Sequence, residues 1–326
     1  MTKFILPLVR LGAAALLALA APAFAQDLPA NKPIRVIIPT APGGQPDIIS
    51  RMVSDPWSRL LGQPVVVENI AGSGGVAAIQ TVQAAPPDGT MIFVGDAAHW
   101  AISPALRPKQ ATDFLKIFTP IRQTHQTSIV LVVNNNLPVT NVKELIAYMK
   151  ANPGKLNYGS AGVGSVHHLT SEAFKHYFGV DAVHVPYKTS AQALTPLQAG
   201  ELGMLFSGLA TVTSFVKAGR VRLIAMSNRA RTPLMPELVP IAESTNTDFD
   251  YGSAAAMFVR VDTPAPIVQK LWAALDKAFQ MPDIQQKLTQ QNIEFIKTST
   301  PASTLEMVKA DIPRWANAAK WAGAQE

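Results

Sequence analysis

Cysteine is absent from the chain, and charged residues make up only 15% of its 326 positions. Without cysteine the protein can form no disulfide, no thiolate metal site and no cysteine nucleophile. The low charge and a hydrophobic content of 48% exclude a disordered, collagen-like or coiled-coil chain. A chain of this length can bury a large core, and it predicts one large domain or two ordinary domains.

Several motifs that mark enzymes are also missing. No serine lies in a G-x-S-x-G elbow, and the chain has neither an H-E-x-x-H helix nor a Walker loop. The glycine clusters Gly72–Gly75 and Gly162–Gly164 do not match the G-x-G-x-x-G pattern of dinucleotide-binding folds. We therefore expect no catalytic residue and no cofactor.

The formal net charge is +6, but the basic residues are scattered singly along the chain. The densest group consists of Arg220, Arg222, Arg229 and Arg231, and prolines soon interrupt the segment that follows. A nucleic-acid-binding protein would have a basic stripe or a recognised motif, so we expect no nucleic-acid partner. A modest positive excess suits a small anionic ligand.

The first 25 residues have the order of a secretory signal peptide. Lys3 and Arg10 give a basic start, Leu11–Ala21 is apolar, and Ala23-Phe24-Ala25 provides a small-x-small cleavage pattern. An apolar run of about 11 residues is shorter than the roughly 20 residues that span a bilayer, which disfavours a membrane anchor. We expect cleavage after Ala25 and a soluble periplasmic monomer. Loss of two basic residues would reduce its net charge from +6 to +4.

Strand-like and helix-like segments alternate along the chain, as in a parallel α/β sheet. Strands are predicted at 34–39, 65–68 and 90–94, with helices at 47–61 and 76–84. The same layout returns with strands at 156–159 and 182–185 and helices at 166–178 and 189–199. A strand at 254–259, a helix at 264–279 and a helix from Thr300 toward Trp315 follow. The repeated spacing predicts two similar α/β units.

These units predict two lobes. Residues 26–124 and 250–326 would form the first lobe, and residues 125–249 the second. The chain would then cross between the lobes twice, near 123–129 and near 248–252. Two adjacent crossings predict a hinge.

Four loops at predicted strand-to-helix junctions are rich in small residues. Ligands of open α/β sheets bind beyond the carboxyl ends of strands, where helix starts offer unpaired N–H groups and a partial positive charge. Glycine lets main-chain amides approach a ligand closely. One such loop could be an ordinary turn, but four in one chain favour a binding site. The predicted ligand-binding residues in these loops are Ala41, Pro42, Gly43, Gly44, Asp47, Ser73, Ser160, Ala161, Gly162, Gly164, Ser165, Tyr187 and Lys188.

The six histidines offer few arrangements for chemistry. His168 and Glu172 would share a helix face, but no third ligand is suitably spaced, so we predict a surface pair and no metal site. His99 and Trp100 follow a strand end, which could place both rings at the cleft. We include His99 among the ligand-binding residues. For Trp100, a core position is favoured over stacking on an aromatic acid.

The motifs of the chain occur in a familiar order. Lys32–Pro39 is followed by Pro42-Gly43-Gly44 and Asp47–Arg51. Later blocks are Val67–Asn69, Ala71–Gly75, Asp88–Thr90, Leu156–Ser165, His168-Leu169, His184–Lys188 and Thr263–Val268. Together these blocks resemble the tripartite tricarboxylate transporter solute-binding (Bug) family, and the resemblance covers nearly all of the chain after residue 25.

The resemblance implies a type II-like periplasmic-binding-protein fold, in which each of two lobes contains a mostly parallel sheet covered by helices. The lobes would close around an anion, and the loops 41–47 and 160–165 would hold its carboxylate through main-chain groups and ordered water. Tyr187 and Lys188 would line the cleft from the second lobe. The resemblance also implies transient contact with transporter subunits in the inner membrane.

One departure from the family pattern concerns the ligand. The family often has Asp after the segment Met204-Leu205-Phe206, and Ser207 here removes a partner for a ligand ammonium group. We therefore include Ser207 in the site and expect a di- or tricarboxylate or an aromatic acid. Two alternatives stay open: an exported α/β hydrolase or isomerase that uses Ser73, Ser160 or His99, and a ligand-sensing partner of a membrane sensor.

Overall fold

The computed structural model describes residues 27–109 and 113–325, and the predicted signal peptide lies outside them. The strands are β1 (Ile34–Ile38), β2 (Val65–Asn69), β3 (Met91–Asp96), β4 (Phe118–Thr127), β5 (Ile129–Val133), β6 (Asn157–Ser160), β7 (Val183–Pro186), β8 (Met204–Gly208), β9 (Arg222–Met226), β10 (Ser253–Arg260) and β11 (Glu294–Phe295). The helices are α1 (Gln45–Leu61), α2 (Val76–Ala84), α3 (Ser103–Leu106), α4 (Val142–Ala151), α5 (Val166–Phe178), α6 (Leu194–Ala199), α7 (Leu209–Lys217), α8 (Ile241–Thr245), α9 (Ala265–Phe279), α10 (Pro282–Gln290) and α11 (Pro301–Trp321). None of these helices has both the length and the apolar content of a membrane span.

The strands form two sheets with a common layout. The first sheet has the order β11-β4-β10-β3-β1-β2, and the second has the order β7-β6-β8-β5-β9. In the first sheet β10 and β11 run opposite to the other four strands, and in the second β5 is reversed. Five strands of the first sheet, β2-β1-β3-β10-β4, thus match the second sheet in order and direction. The predicted α/β class with two mostly parallel sheets is confirmed. We call the elements built on each sheet the first and the second lobe.

Packing against the first sheet fixes the position of helix α1. Ile49, Val53 and Trp57 lie four residues apart on one face of α1, and all three are buried. Burial of each such side chain contributes roughly 1.5–3 kcal/mol. The helix begins after Gly44, just beyond the carboxyl end of β1, so its packed face holds its N-terminus at that edge of the sheet.

The chain passes between the two sheets at two adjacent points. It leaves the first sheet at Ser128, between β4 and β5, and returns at Gly252, just before β10. The side chain of Asn228 holds the first passage in place, because it accepts a hydrogen bond from the Ile129 amide (3.0 Å) and donates one to the Thr127 carbonyl (3.4 Å). A Cβ atom on Gly252 would lie 2.0 Å from Asn228 Nδ2, so this crossing requires glycine.

The C-terminal helix α11 contacts both lobes. It packs along β4 of the first sheet and against α5 of the second lobe. Near its end, the ring of Trp321 stacks on that of His176 with centroids 3.9 Å apart, and Trp315 meets Tyr251 edge to face. The two lobes therefore share an aromatic contact, with the buried Trp315–Tyr251 pair beside the second crossing.

The predicted helices at 76–84 and 166–178 are confirmed at both ends. The prediction of a helix over 189–199 is wrong in its first half, because the helix begins at Leu194. The amides of Ala193 and Leu194 donate to the carbonyls of Ser190 and Ala191, three residues earlier and both at 3.2 Å. These bonds form turns instead of an α-helix.

Candidate functional site

A cleft of about 860 Å³ lies between the two lobes, at the edge of the sheets where the parallel strands end. Residues from helix starts of both lobes and from the crossing at Ser128 line it. The lining residues are Gln45, Gln126, Thr127, Ser128, Ile129, Val166, His167, Ser190, Gly208, Leu209, Ala210, Thr211, Thr213, Ser214, Lys217, Leu234, Met235, Ser253, Gln291, Asn292 and Glu294.

Three helices begin at this cleft. Helices α1 and α7 start after Gly44 and Gly208, and neither start has a side-chain cap. Helix α5 starts after Ser165, whose hydroxyl accepts a hydrogen bond from the His168 amide at 3.2 Å. First-turn amides that donate to no acceptor in the described residues belong to Gln45, Asp47, Val166, His167, Ala210 and Thr211. Unpaired N–H groups and the helix dipole together favour an anion such as a carboxylate.

Three of the predicted loop glycines shape these helix starts, but their amides already donate hydrogen bonds within the loops. The amide of Gly43 donates to Asp47 Oδ2 (3.0 Å) and that of Gly162 to Ser160 Oγ (3.0 Å). The amide of Gly164 donates to His168 Nδ1 at 3.2 Å. The three glycines have φ angles of +90°, +102° and +76°, a region that favours glycine. The donors left for a ligand therefore include the first residues of the helices that follow these loops.

The other residues predicted for the first loop lie beside the cleft. Ala41, Pro42, Gly43 and Gly44 are exposed. The carboxylate of Asp47 points back into the loop, where it accepts hydrogen bonds from Gly43 and from Arg51 Nε at 3.0 Å. Burial raises the pKa of Asp47, but these hydrogen bonds outweigh it and hold the pKa below its ordinary value. The Asp47 side chain therefore stabilises the loop, while its main-chain N–H is among the free donors.

None of the residues predicted for the second lobe lines the cleft directly. Tyr187 is half-buried and Lys188 is exposed, and both lie beside the cleft lining and not within it. Ser207 is buried and donates a hydrogen bond to Ser190 Oγ (3.0 Å). Ser207 therefore does not face a ligand directly but holds the side chain of Ser190, which does line the cleft.

His99 packs beneath the loop that contains Gly75 and precedes α2 in the first lobe. It is buried, its Nδ1 atom lies 2.7 Å from Asp96 Oδ1, and its ring packs on Gly75, where a Cβ atom would be 2.5 Å from His99 Cδ2. Burial lowers the pKa of His99, but the Asp96 carboxylate outweighs it and raises the pKa above the ordinary value. Ser73 belongs to the same loop, in the turn that precedes α2. The imidazole thus faces Asp96 and Gly75 and does not line the cleft.

Trp100 is part of the core. It is 1% exposed, its Nε1 atom donates to Asp311 Oδ2 at 3.1 Å, and its ring packs against Phe114 and Phe258. The core position favoured from the sequence is confirmed, and the indole cannot stack on a ligand in the cleft.

A serine–histidine contact lies beneath the loop 160–165. Ser160 Oγ is 2.6 Å from His184 Nε2, and the His184 ring stacks on that of His168 with centroids 4.1 Å apart. Ser160 is fully buried, its hydroxyl accepts the Gly162 amide, and no carboxylate in the described residues hydrogen-bonds to His184. A nucleophilic serine needs access to substrate and an oriented base. The pair therefore positions the loop that contains Ala161 and Gly162 and does not form a hydrolase site.

The predicted surface pair on helix α5 has partners of its own. Glu172 accepts hydrogen bonds from the Tyr158 hydroxyl and from Lys175 Nζ, the latter at 2.9 Å. His168 is buried, so the prediction that it lies at the surface is wrong. Its Nδ1 atom accepts a hydrogen bond from the Gly164 amide, which holds the imidazole behind the loop 160–165. No cluster of three or more potential metal ligands occurs within 27–109 and 113–325.

Several cleft residues were missed from the sequence. Gln45 accepts a hydrogen bond from Thr127 Oγ1 at 3.3 Å, which joins the start of α1 to the end of β4. Ser128 donates to Glu294, and the start of α7 follows β8 without a glycine-rich loop. A glycine between a strand and an apolar run, as at Gly208, was the available signal for α7. The short strand that contains Glu294 left no recognisable signal.

Buried histidines make stability depend on pH. Burial lowers the pKa values of His125, His167 and His168 to about 4, from an ordinary value of 6.5. The stability that these histidines contribute is complete above pH 6.5 and is lost as the pH falls toward 4. Burial raises the pKa of Asp311 from 3.8 to about 6, which has the opposite sign over the same window.

We therefore expect acid to destabilise the protein between pH 6 and pH 4.5. In this window the unfolded chain binds three more protons on the histidines than the folded protein, and the folded protein binds one more on Asp311. The unfolded chain therefore holds about two extra protons, which corresponds to roughly 2–3 kcal/mol of stability lost per pH unit. Urea unfolding at pH 6.0 and 5.0 measures this slope, and His125→Gln should reduce it by about one proton. A stability that does not change over this window would contradict the assignment.

The chain is similar to a family of transporter receptors, both in sequence and in fold. The model of the tripartite tricarboxylate transporter family receptor matches residues 49–321. A UPF0065 protein of Bordetella pertussis is 32% identical over 285 residues, which are 87% of this chain and 88% of that protein. An R. palustris protein with adipate is 29% identical, with a TM-score of 0.71 over 90% of this chain and 98% of its own. MatC of Rhodopseudomonas palustris with bound malate is 28% identical, with a TM-score of 0.67 over 88% and 99%.

Proposed function

Since the chain belongs to the tripartite tricarboxylate transporter receptor family, whose members are periplasmic substrate-binding proteins and not enzymes, we propose that it binds a small organic carboxylate between its lobes. After removal of residues 1–25 it would act in the periplasm as a monomer. It would then pass its ligand to transporter subunits in the inner membrane by transient contact. Relatives with adipate and malate support a carboxylate as the ligand.

The convergence of three helix starts carries this proposal. Free first-turn amides of α1 belong to the first lobe, and those of α5 and α7 belong to the second. A carboxylate between them would accept hydrogen bonds from both lobes at once. Such a ligand binds the closed arrangement better than the open one, and this difference in affinity shifts the population toward closure.

We propose that closure bends the chain at its two crossings. The lobes would comprise residues 26–124 with 250–326 and residues 125–249, joined near 123–129 and 248–252. Ser128 and Gly252 lie at these crossings, and Asn228 hydrogen-bonds to the main chain on both sides of Ser128. The short connections support rotation of one lobe against the other.

The cleft has room for more than a carboxylate group. Its volume is about 860 Å³, and Leu209, Leu234 and Met235 provide an apolar wall. An acid with an aliphatic chain or an aromatic ring could cover this wall. The proposed ligands are therefore di- or tricarboxylates and aromatic acids.

Thermal unfolding with a panel of organic acids tests the proposed function. We expect at least one acid to stabilise the protein by about 2.7 kcal/mol at a hundredfold excess over its dissociation constant, because it binds only the folded state. Citrate-cycle acids, longer dicarboxylates and aromatic acids form the panel, and uncharged amides of the same acids are the controls. A panel without any stabilising acid would contradict the proposed function.

A further inference from the structure

Glu294 is a buried carboxylate in the wall of the cleft. It begins strand β11, which pairs with β4 opposite Gln126, and only 9% of the residue is exposed. Its Oε2 atom accepts hydrogen bonds from the hydroxyls of Ser128 and Thr232, the latter at 2.9 Å. Because Thr232 belongs to the second lobe, Glu294 contacts both lobes where they meet.

The second oxygen of this carboxylate is unpartnered. Oε1 of Glu294 accepts no hydrogen bond from residues 27–109 or 113–325, and no basic side chain in these ranges forms an ion pair with Glu294. Lys217 lines the same cleft but is not within ion-pair distance of Glu294. Buried carboxylates are normally paired with a cation or with several donors, because removal of charge from water is costly. Oε1 is thus an acceptor left for a group that enters the cleft.

Glu294 lines the same cleft as the start of helix α1. Thr127 Oγ1 donates to the side chain of Gln45, the first residue of α1, and the next residue, Ser128, donates to Glu294. Gln45, Thr127, Ser128 and Glu294 all line the cleft. A ligand whose carboxylate lies at the helix starts can therefore reach Glu294 with a second functional group.

On the basis of the proposed carboxylate-binding function, we propose that Glu294 is a specificity-determining residue. Among the proposed di- and tricarboxylates and aromatic acids, it selects those that present a hydrogen-bond donor to Oε1, either a hydroxyl or an ammonium group. A donor completes the hydrogen bonding of Oε1, whereas a second carboxylate at this position would face a like charge. The serine at position 207 removes one partner for a donor group, and Glu294 supplies another from the opposite lobe.

Two series of acids that differ only in the group opposite the carboxylate test this role. The four-carbon series is butanoate, 4-hydroxybutanoate, 4-aminobutanoate and succinate, and the six-carbon series has the same end groups. Calorimetric titration of the full-length mature protein should show at least tenfold tighter binding of a hydroxyl- or ammonium-ended acid than of the methyl- and carboxylate-ended acids of equal length. Which of the two binds more tightly identifies the donor.

Glu294→Gln provides the decisive comparison. Its amide oxygen can accept from Ser128 and Thr232, which leaves the NH₂ group, a donor, in the place of Oε1. The ratio of affinities between donor-ended and carboxylate-ended acids should therefore fall at least tenfold in this variant. Glu306→Gln is the control, because Glu306 is an exposed residue of α11 whose partner is Lys309.

Three results would overturn the role of Glu294. They are tighter binding of the carboxylate-ended acids by the unaltered protein, a preference that Glu294→Gln leaves unchanged, and binding of some other organic acid but of no member of either series. In each case the carboxylate-binding function would stand. Failure of every organic acid to bind would instead reject the proposed function itself.

Discussion

Replacement of Arg122 by methionine is expected to lower the free energy of unfolding by about 3–5 kcal/mol, because it removes a fully buried guanidinium and leaves its partly buried partners unpaired. The Arg122 side chain is fully buried, its guanidinium pairs with Asp276 at 3.0 Å, and it lies 4.2 Å from the centre of the Phe279 ring. It also donates to the carbonyls of Gln123, Ile296 and Lys297. Methionine fills most of the volume but supplies no donor.

This arginine also affects the cleft. It joins strand β4 to helix α9 and to the segment that follows β11, the strand of Glu294. Chemical unfolding of the variant measures the loss of stability. Arg231→Met is a matched control, since Arg231 pairs with Glu243 through two hydrogen bonds on the surface and its loss should change stability little. Similar midpoints for the two variants would show that Arg122 contributes no more than a surface arginine.

The loops of the site could be predicted from the sequence because their signals are local. Gly43, Gly162 and Gly164 all have positive φ angles and lie at strand-to-helix junctions, as the glycine clusters indicated. The hydrogen bonds that use their amides are also local, since Asp47 and His168 each follow their glycine by four residues. The sequence contained this pairing, but glycine content alone does not indicate which amides stay free.

The remaining parts of the site depend on contacts between distant residues. Strand β11 has two residues and forms only because it pairs with β4, so no periodic pattern could predict that Glu294 faces the cleft. The burial of Trp100 depends on Phe114, Phe258 and Asp311, which come from three other segments. His99 was placed at the cleft because it follows a strand end, but its hydrogen bond to Asp96 turns it toward Gly75.

The second large effect is expected at the start of helix α5. Val166 is the first helical residue, its amide donates to no acceptor in the described residues, and Ser165 before it is extended, with φ −66° and ψ 157°. Proline is tolerated at this position and after an extended residue, so Val166→Pro should fold normally while it removes one N–H donor. A hydrogen bond to a charged group contributes about 1.5–3 kcal/mol, so affinity for a carboxylate should fall roughly 10- to 150-fold.

Val166→Ala is the matched control, because it shortens the same side chain and keeps the amide. The acid that stabilises the unaltered protein most strongly serves as the ligand, and thermal unfolding without ligand checks that both variants fold. Calorimetric titration of the two variants tests directly whether main-chain amides at the helix starts hold the carboxylate. We expect at least a tenfold loss of affinity in Val166→Pro and less than a threefold change in Val166→Ala. Equal affinities in the two folded variants would contradict this account of binding.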